Sequence, residues 1–220
     1  MLDVSPTSRH NVFRRRRIEL LNDLIRMTLV SKTKCKIIDI GGTFGFWSTW
    51  SHLINWNQVS ITCVNLNPGH MAEGESRATM IQGNACNLDQ IADNQYDIAF
   101  SNSVIEHVGM WSDMKEMATE VRRVARRYLV QTPYYWFPIE PHARTPLLHW
   151  LPEPVAYRIV MNFKCGFWTK AQTVDDAVST VQSARLLDRR QFQALFPDAE
   201  IRSERFVGLT KSLIAVRDAS

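Results

Sequence analysis

The chain has 220 residues, 45% of them hydrophobic and 22% charged, which is the balance of one globular domain and not of a disordered segment. Its four cysteines, Cys35, Cys63, Cys86 and Cys165, form no C-x-x-C pair, which argues against zinc or a disulfide framework and for a reducing, cytoplasmic compartment. A net charge of +4 with no accompanying nucleic-acid module argues against nucleic acid as a partner, and no apolar run approaches the roughly 18 residues of a membrane span.

Met1 to Asn11 is mostly polar and lacks the apolar core of a signal peptide. Ile18, Leu20, Leu21, Leu24, Ile25 and Leu29 then recur at helical spacing, so an N-terminal helix is expected over about 11–30. Arg14 to Arg17 read first as the solvated face of that helix. An anionic partner, such as a phosphorylated acceptor or an acidic membrane surface, is the second reading. Arg122, Arg123, Arg126 and Arg127 form another basic cluster.

Lys36 to Ile40 reads as a buried strand and Gly45 to Ile54 as a helix. Val59 to Val64 is a second strand, stopped by Asn65-Leu66-Asn67-Pro68-Gly69, a strong turn signal. Ala78 to Gln82 and Tyr96 to Ser101 are the third and fourth strands. Ser112 to Arg126 reads as a helix with Met114, Met117, Val121 and Val124 at core spacing, and Tyr128 to Gln131 as a fifth strand. Pro133 to Pro154 is too rich in proline and aromatic residues for an ordinary helix, and so long a segment inside a compact domain is usually functional. Helical character returns at Val174 to Leu187 and Arg189 to Leu195. Ile201 to Phe206 and Leu213 to Val216 could close the sheet as an antiparallel pair. The alternation predicts a single α/β domain over 1–220, with a mainly parallel sheet and helices on both faces.

Chemistry concentrates at the strand ends. Asp39-Ile40-Gly41-Gly42-Thr43-Phe44-Gly45 is an acid followed by a glycine turn, which lets backbone approach a ligand. Its spacing fits neither G-x-G-x-x-G nor G-x-x-x-x-G-K-[ST], so dinucleotides and ATP are disfavoured. Asn65 is placed to bond ribose hydroxyls, and Asn84 to accept from an exocyclic amine. The fourth strand runs on into Ser101-Asn102-Ser103-Val104-Ile105-Glu106-His107-Val108.

In this order the motifs resemble those of class I S-adenosylmethionine-dependent methyltransferases, over about Lys36 to Arg217. The nearest resemblance is to small bacterial enzymes of surface-polysaccharide and lipopolysaccharide biosynthesis. It implies a Rossmann-like seven-stranded sheet with its last strand antiparallel, and a lid or acceptor segment inserted after strand five, about 133–187. It implies that Asp39, Gly41, Gly42 and Gly45 hold the methionine and ribose end of S-adenosylmethionine. Asn65 and Leu66 would meet the ribose, Asn84 and Ala85 the adenine, and Ser101, Asn102 and Ser103 the methionine side. The family usually has glycine where Thr43 stands, and acids where Asn65 and Asn84 stand; an asparagine carbonyl still accepts a hydrogen bond but without the charge.

For catalysis, His107 is the first candidate general base, because it follows strand four and a neutral imidazole takes a proton near neutrality. Its alternative is that Glu106-His107 merely caps the next segment. His142 is the second candidate and His149 lies nearby; both could face the acceptor or be ordinary loop residues. Tyr134, Tyr135, Trp136, Glu140 and Arg144 are the candidate acceptor contacts, since aromatic faces suit sugars and polar groups fix hydroxyls; a packed flap is the plain alternative. Leu147 to Leu151 could instead seek a membrane surface peripherally. No carboxylate cluster with metal spacing is evident, so no metal is expected. The expected function is O-methylation of a sugar, glycan precursor or related small molecule. A lipid- or quinone-like acceptor and a non-catalytic cofactor-binding module are the alternatives.

Overall fold

A computed structural model describes residues 9–67 and 77–218. Seven strands, β1 (Cys35–Ile40), β2 (Val59–Asn65), β3 (Thr79–Gln82), β4 (Tyr96–Asn102), β5 (Ala125–Pro133), β6 (Glu200–Phe206) and β7 (Leu209–Arg217), form one sheet. Its order is β3-β2-β1-β4-β5-β7-β6. The first five strands are parallel, and β7 runs antiparallel to both β5 and β6. The expected antiparallel closure is therefore present, and the order reverses direction between β1 and β4.

The near-continuous apolar strands follow from burial on both faces. Along a strand, side chains alternate between faces. In β5, Tyr128 and Val130 therefore pack on one face and Leu129 on the other. The first face is covered by α3 (Trp111–Val124) through Met114, Met117 and Val121, and by α6 (Arg189–Leu195) through Phe192 and Leu195. The second face is covered by α1 (Arg9–Leu29) through Ile18, Leu21, Leu24 and Ile25, and by α2 (Phe44–Trp50) through Trp47 and Trp50.

The solvated reading of the arginine run fails at one position. Arg17 is buried, and its guanidinium is bidentate to Glu204 at 2.9 and 2.5 Å. It also donates to Asn102 Oδ1 and Gln131 Oε1, each at 2.6 Å. Ser212 donates to the same carboxylate. One side chain thereby ties α1 to the ends of β4, β5, β6 and β7. Two arginines of the second basic cluster are used in ion pairs: Arg122 with Asp198 at 3.3 Å, and Arg123 with Glu120 and Asp93 at 2.7 and 2.8 Å.

Between β5 and α6 the chain builds a small layer of its own. Alongside the proline-aromatic strap it contains α4 (Glu153–Asn162) and α5 (Val174–Gln182), packed through Ala143, Leu148, Ala156, Val160, Cys165, Ala171 and Ala177. The prolines of this stretch read as breakers, yet Pro152 caps α4 and Pro154 lies in its first turn, where a missing N–H is harmless. Residues expected to extend α5 to 187 are extended instead. Their hydrogen bonds are taken elsewhere: the Arg185 N–H donates to the Glu106 carbonyl at 2.7 Å, and the Tyr135 N–H to the Leu187 carbonyl at 3.0 Å. No helix of the described residues is long and apolar enough to cross a membrane.

Candidate active site

Parallel register gathers the loops after β1, β2, β3 and β4 at one edge of the sheet. Ile40 pairs with Val64, Asn65 with Gln82 and Asp39 with Phe100. Gly41 leaves β1 at φ +80°, and a Cβ built there would sit 2.4 Å from Val104 Cγ2. That glycine is thus demanded twice, by its backbone and by the loop after β4. A Cβ at Gly42 would lie 2.2 Å from Asp39 Oδ2, so the turn folds over the acid. Asp39 is 2% exposed, and its Oδ2 accepts from the Trp47 indole N–H at 2.8 Å. Burial pushes its carboxyl up to about 7, against the pull of the Trp47 hydrogen bond. Thr43, standing where glycine was expected by resemblance, caps α2 by accepting from the Phe46 N–H at 3.3 Å.

A second cluster lies where β4 gives way to α3. Glu106 is 1% exposed; its Oε2 accepts from Thr132 Oγ1 at 3.1 Å, while Oε1 is buried without a hydrogen-bond partner. The His107 and His142 rings meet edge to face, with centroids 4.7 Å apart. His107 Nδ1 lies 2.7 Å from the Ser183 carbonyl, and His142 Nδ1 2.8 Å from Glu140 Oε1. A carbonyl or a carboxylate only accepts, so each Nδ1 carries the proton and each neutral ring keeps its lone pair on Nε2. Burial raises the Glu106 pKa, with His107 and His142 drawing it back. Burial alone would lower His142, but the hydrogen bond and charge of Glu140, with Glu106 behind, outweigh it and leave that imidazole raised.

Beside this cluster the inserted layer encloses a cavity of about 280 Å³, lined among others by Tyr135, Glu140, His149, Trp168 and Ser183. Two of its lining residues, Glu140 and Ser183, also hold the two imidazoles. His149 Nε2 and Trp150 Nε1 both donate to the Tyr135 carbonyl at 2.8 Å, leaving His149 Nδ1 buried and unpartnered.

Residues 38–128 match the family model described as a methyltransferase domain. The match runs from β1 into β5 and covers less than half of the chain. No curated protein matches its sequence. Among solved structures, it resembles a Galdieria sulphuraria protein described as a sarcosine dimethylglycine methyltransferase, at 14% identity and a TM-score of 0.50 over 87% of this chain and 63% of that one. The carbon methyltransferase of DszA gives 7% identity and a TM-score of 0.57 over 96% and 55%. A Rhodobacter sphaeroides protein described as a Zn-dependent alcohol dehydrogenase gives 9% and 0.52 over 89% and 88%. These likenesses are of fold alone. The chain spans a little over half of the DszA domain and 63% of the Galdieria protein.

The residues nominated from sequence separate in the fold. Asn65 Nδ2 donates to the Gly42 carbonyl at 3.4 Å, and its Oδ1 accepts from the Asn67 N–H at 3.3 Å, so it stands at the glycine turn. Pro68 and Gly69 lie outside the described residues. Asn84 Oδ1 accepts from the Cys86 N–H at 3.0 Å, which holds the turn bearing Ala85. Leu66 is exposed beside Asn65. Ser101 is wholly buried and donates to the Ile40 carbonyl at 3.0 Å. It joins β4 to β1 and offers no surface to a ligand, against expectation. Asn102 is held by Arg17, and Ser103, at φ +57°, donates to Gln131 Oε1 at 2.9 Å.

Of the candidate acceptor contacts, Tyr135 and Glu140 line the cavity. Tyr134 packs against the sheet core, its N–H donating to the Lys211 carbonyl. Trp136 is 58% exposed and stacks obliquely on Trp150, and Arg144 lies over the Phe167 ring at 4.3 Å. These three do not line the cavity. Glu106 and Arg17 were missed as site-building residues. The signal for Glu106 was its place between Ile105 and Val108, an acid within an apolar run.

Proposed function

We propose that the chain transfers a methyl group from S-adenosylmethionine to a hydroxyl oxygen of a sugar, a glycan precursor or a related small molecule. The observation that carries this reading is the aromatic and polar cavity beside His107 and His142. Tyr135 and Trp168 offer flat faces, Glu140 and Glu153 offer acceptors, and His149 Nδ1 offers a buried lone pair that a hydroxyl would satisfy.

The residues at the sheet edge fit the cofactor: a positive-φ glycine turn over a buried acid follows β1, and asparagine turns follow β2 and β3 at the same ends of the strands. Asp39, Gly41, Gly42, Gly45, Asn65, Leu66, Asn84, Ala85 and the Asn102–Ser103 backbone would hold it. The bound cofactor supplies an electrophilic methyl on a sulfonium. The chain holds the acceptor oxygen in line, an arrangement that can remove roughly 7–11 kcal/mol of barrier. His107 or His142 takes the hydroxyl proton on Nε2. Glu140 and the Ser183 carbonyl orient the two rings.

A lipid- or quinone-like acceptor is the second reading, favoured by the apolar residues Trp136, Phe163 and Phe167, each more than half exposed on the inserted layer. Calorimetry with S-adenosylmethionine and S-adenosylhomocysteine, followed by labelled methyl transfer to panels of sugars, lipids and quinones, tests both. Labelled sugar ether is the expected product. No binding of either cofactor form at high micromolar concentration would overturn the enzyme reading, and label found only in lipid or quinone would favour the second.

A further inference from the structure

We propose that Glu106, His107 and His142 form a binding site for a divalent first-row transition-metal ion. One ligating atom from each residue lies within 4.8 Å of the other two. Tetrahedral ligands about 2.1 Å from a metal stand about 3.4 Å apart, so the set closes by at most about 1.4 Å on binding.

Three observations independent of that proximity support a cation. Glu106 Oε1 is a carboxylate oxygen buried without a partner, which is costly unless something positive meets it. Both imidazoles donate Nδ1–H outward, one to a backbone carbonyl and the other to a carboxylate. That is the outer-shell arrangement that fixes a metal-binding histidine with Nε2 as ligand. The Glu106 carboxylate is itself fixed by Thr132 through its other oxygen. Two imidazoles and one carboxylate suit zinc, iron(II), cobalt or manganese better than magnesium, and leave coordination positions open. This replaces the sequence-based expectation of no metal: His142 is far from His107 along the chain and enters the cluster only because the inserted layer folds back over β4.

The consequence for chemistry rests on the O-methyl-transfer reading above; the site itself does not. An acceptor hydroxyl bound to the ion would lose its proton to solvent more readily. The oxygen would then take the methyl group from the sulfonium as the carbon–sulfur electron pair passes to sulfur, giving the methyl ether and S-adenosylhomocysteine, with the proton already lost to solvent. With the ion held, the two imidazoles would serve as ligands in place of the proton-accepting role proposed above for the metal-free protein.

The test uses the full chain stripped with chelator and titrated with Co²⁺ alone, read by visible d–d absorption and by metal content after dialysis. One Co²⁺ per chain is expected. Affinity should fall at least tenfold in His107→Ala, His142→Ala and Glu106→Gln, and 10–100-fold in Glu140→Gln, which leaves the ligands in place and removes only the group orienting His142. Circular dichroism and thermal unfolding separate a lost site from a lost fold; if the buried Glu106 or Glu140 variant fails to fold, the His107 and His142 variants carry the result. Absence of bound Co²⁺ at millimolar concentration, or equal affinity in the His107→Ala/His142→Ala double variant, overturns the site. S-adenosylmethionine calorimetry on the same samples reports separately on the methyltransferase reading, so the two can fail independently.

Discussion

Asp39→Asn should abolish a pH dependence of stability that the wild-type chain possesses in the absence of cofactor. The carboxyl has an ordinary value of 3.8 and is pushed up to about 7 by complete burial. Between these values the folded protein holds a proton on Asp39 that the unfolded chain releases. Stability from this group is therefore fully present below about pH 4 and is lost as pH rises through 7. At about 1.4 kcal/mol per pH unit, the interval corresponds to about 4 kcal/mol. Asparagine keeps the shape and still accepts from the Trp47 indole, but does not titrate. Urea unfolding at half-unit intervals from pH 4 to 8 should show the wild-type profile falling relative to Asp39→Asn by several kcal/mol. Parallel profiles, differing by less than about 1 kcal/mol in slope over that span, would refute burial as the force acting on Asp39.

Arg17→Met should destabilise the fold by about 3–5 kcal/mol, because it strands Glu204 in the interior, whereas Arg17→Met/Glu204→Leu should recover most of that loss; a double-mutant cycle by denaturant unfolding reads the coupling, and additive losses would refute it. Gly41→Ala should cost about 2–4 kcal/mol from its positive φ and its contact with Val104, measured by the same unfolding. Gly45→Ala, whose Cβ would meet nothing within 4 Å, should leave stability unchanged or up to about 1 kcal/mol higher on helix propensity. A tenfold or larger loss of S-adenosylmethionine affinity in Gly45→Ala would then support close cofactor approach at that backbone.

Most of the sheet was legible because its strands are apolar on both faces and end in turn residues, as at Ile40-Gly41 and Asn65. Boundaries failed where a local pattern met a tertiary demand. Ala125 and Arg126 read as the end of the preceding helix, yet they belong to β5, because Tyr96 of β4 pairs with Ala125 and Ile98 with Arg127. Pro152 and Pro154 looked like breakers but begin a helix. The candidate site was half legible. Gly41 announces itself, because only glycine fits a positive φ pressed against Val104. Ser101 did not, because a hydroxyl that bonds Ile40 across strands looks the same in sequence as one that faces a ligand. Arg17 was hidden inside a run whose other members give no sign that one guanidinium turns inward to meet Glu204, on the far side of the chain.

The segment 183–187 holds its neighbours through main-chain atoms: Arg185 N–H on Glu106, the Ser183 carbonyl under His107 and the Leu187 carbonyl on Tyr135. Ala184 and Leu186 line the cavity, while Leu187 packs into the sheet core. On the proposed reading of the cavity, such a division lets acceptor preference drift by exchange of those side chains while the histidine loop stays anchored. It makes this short crossing the natural place to diversify when the substrate range of the domain is to be re-engineered.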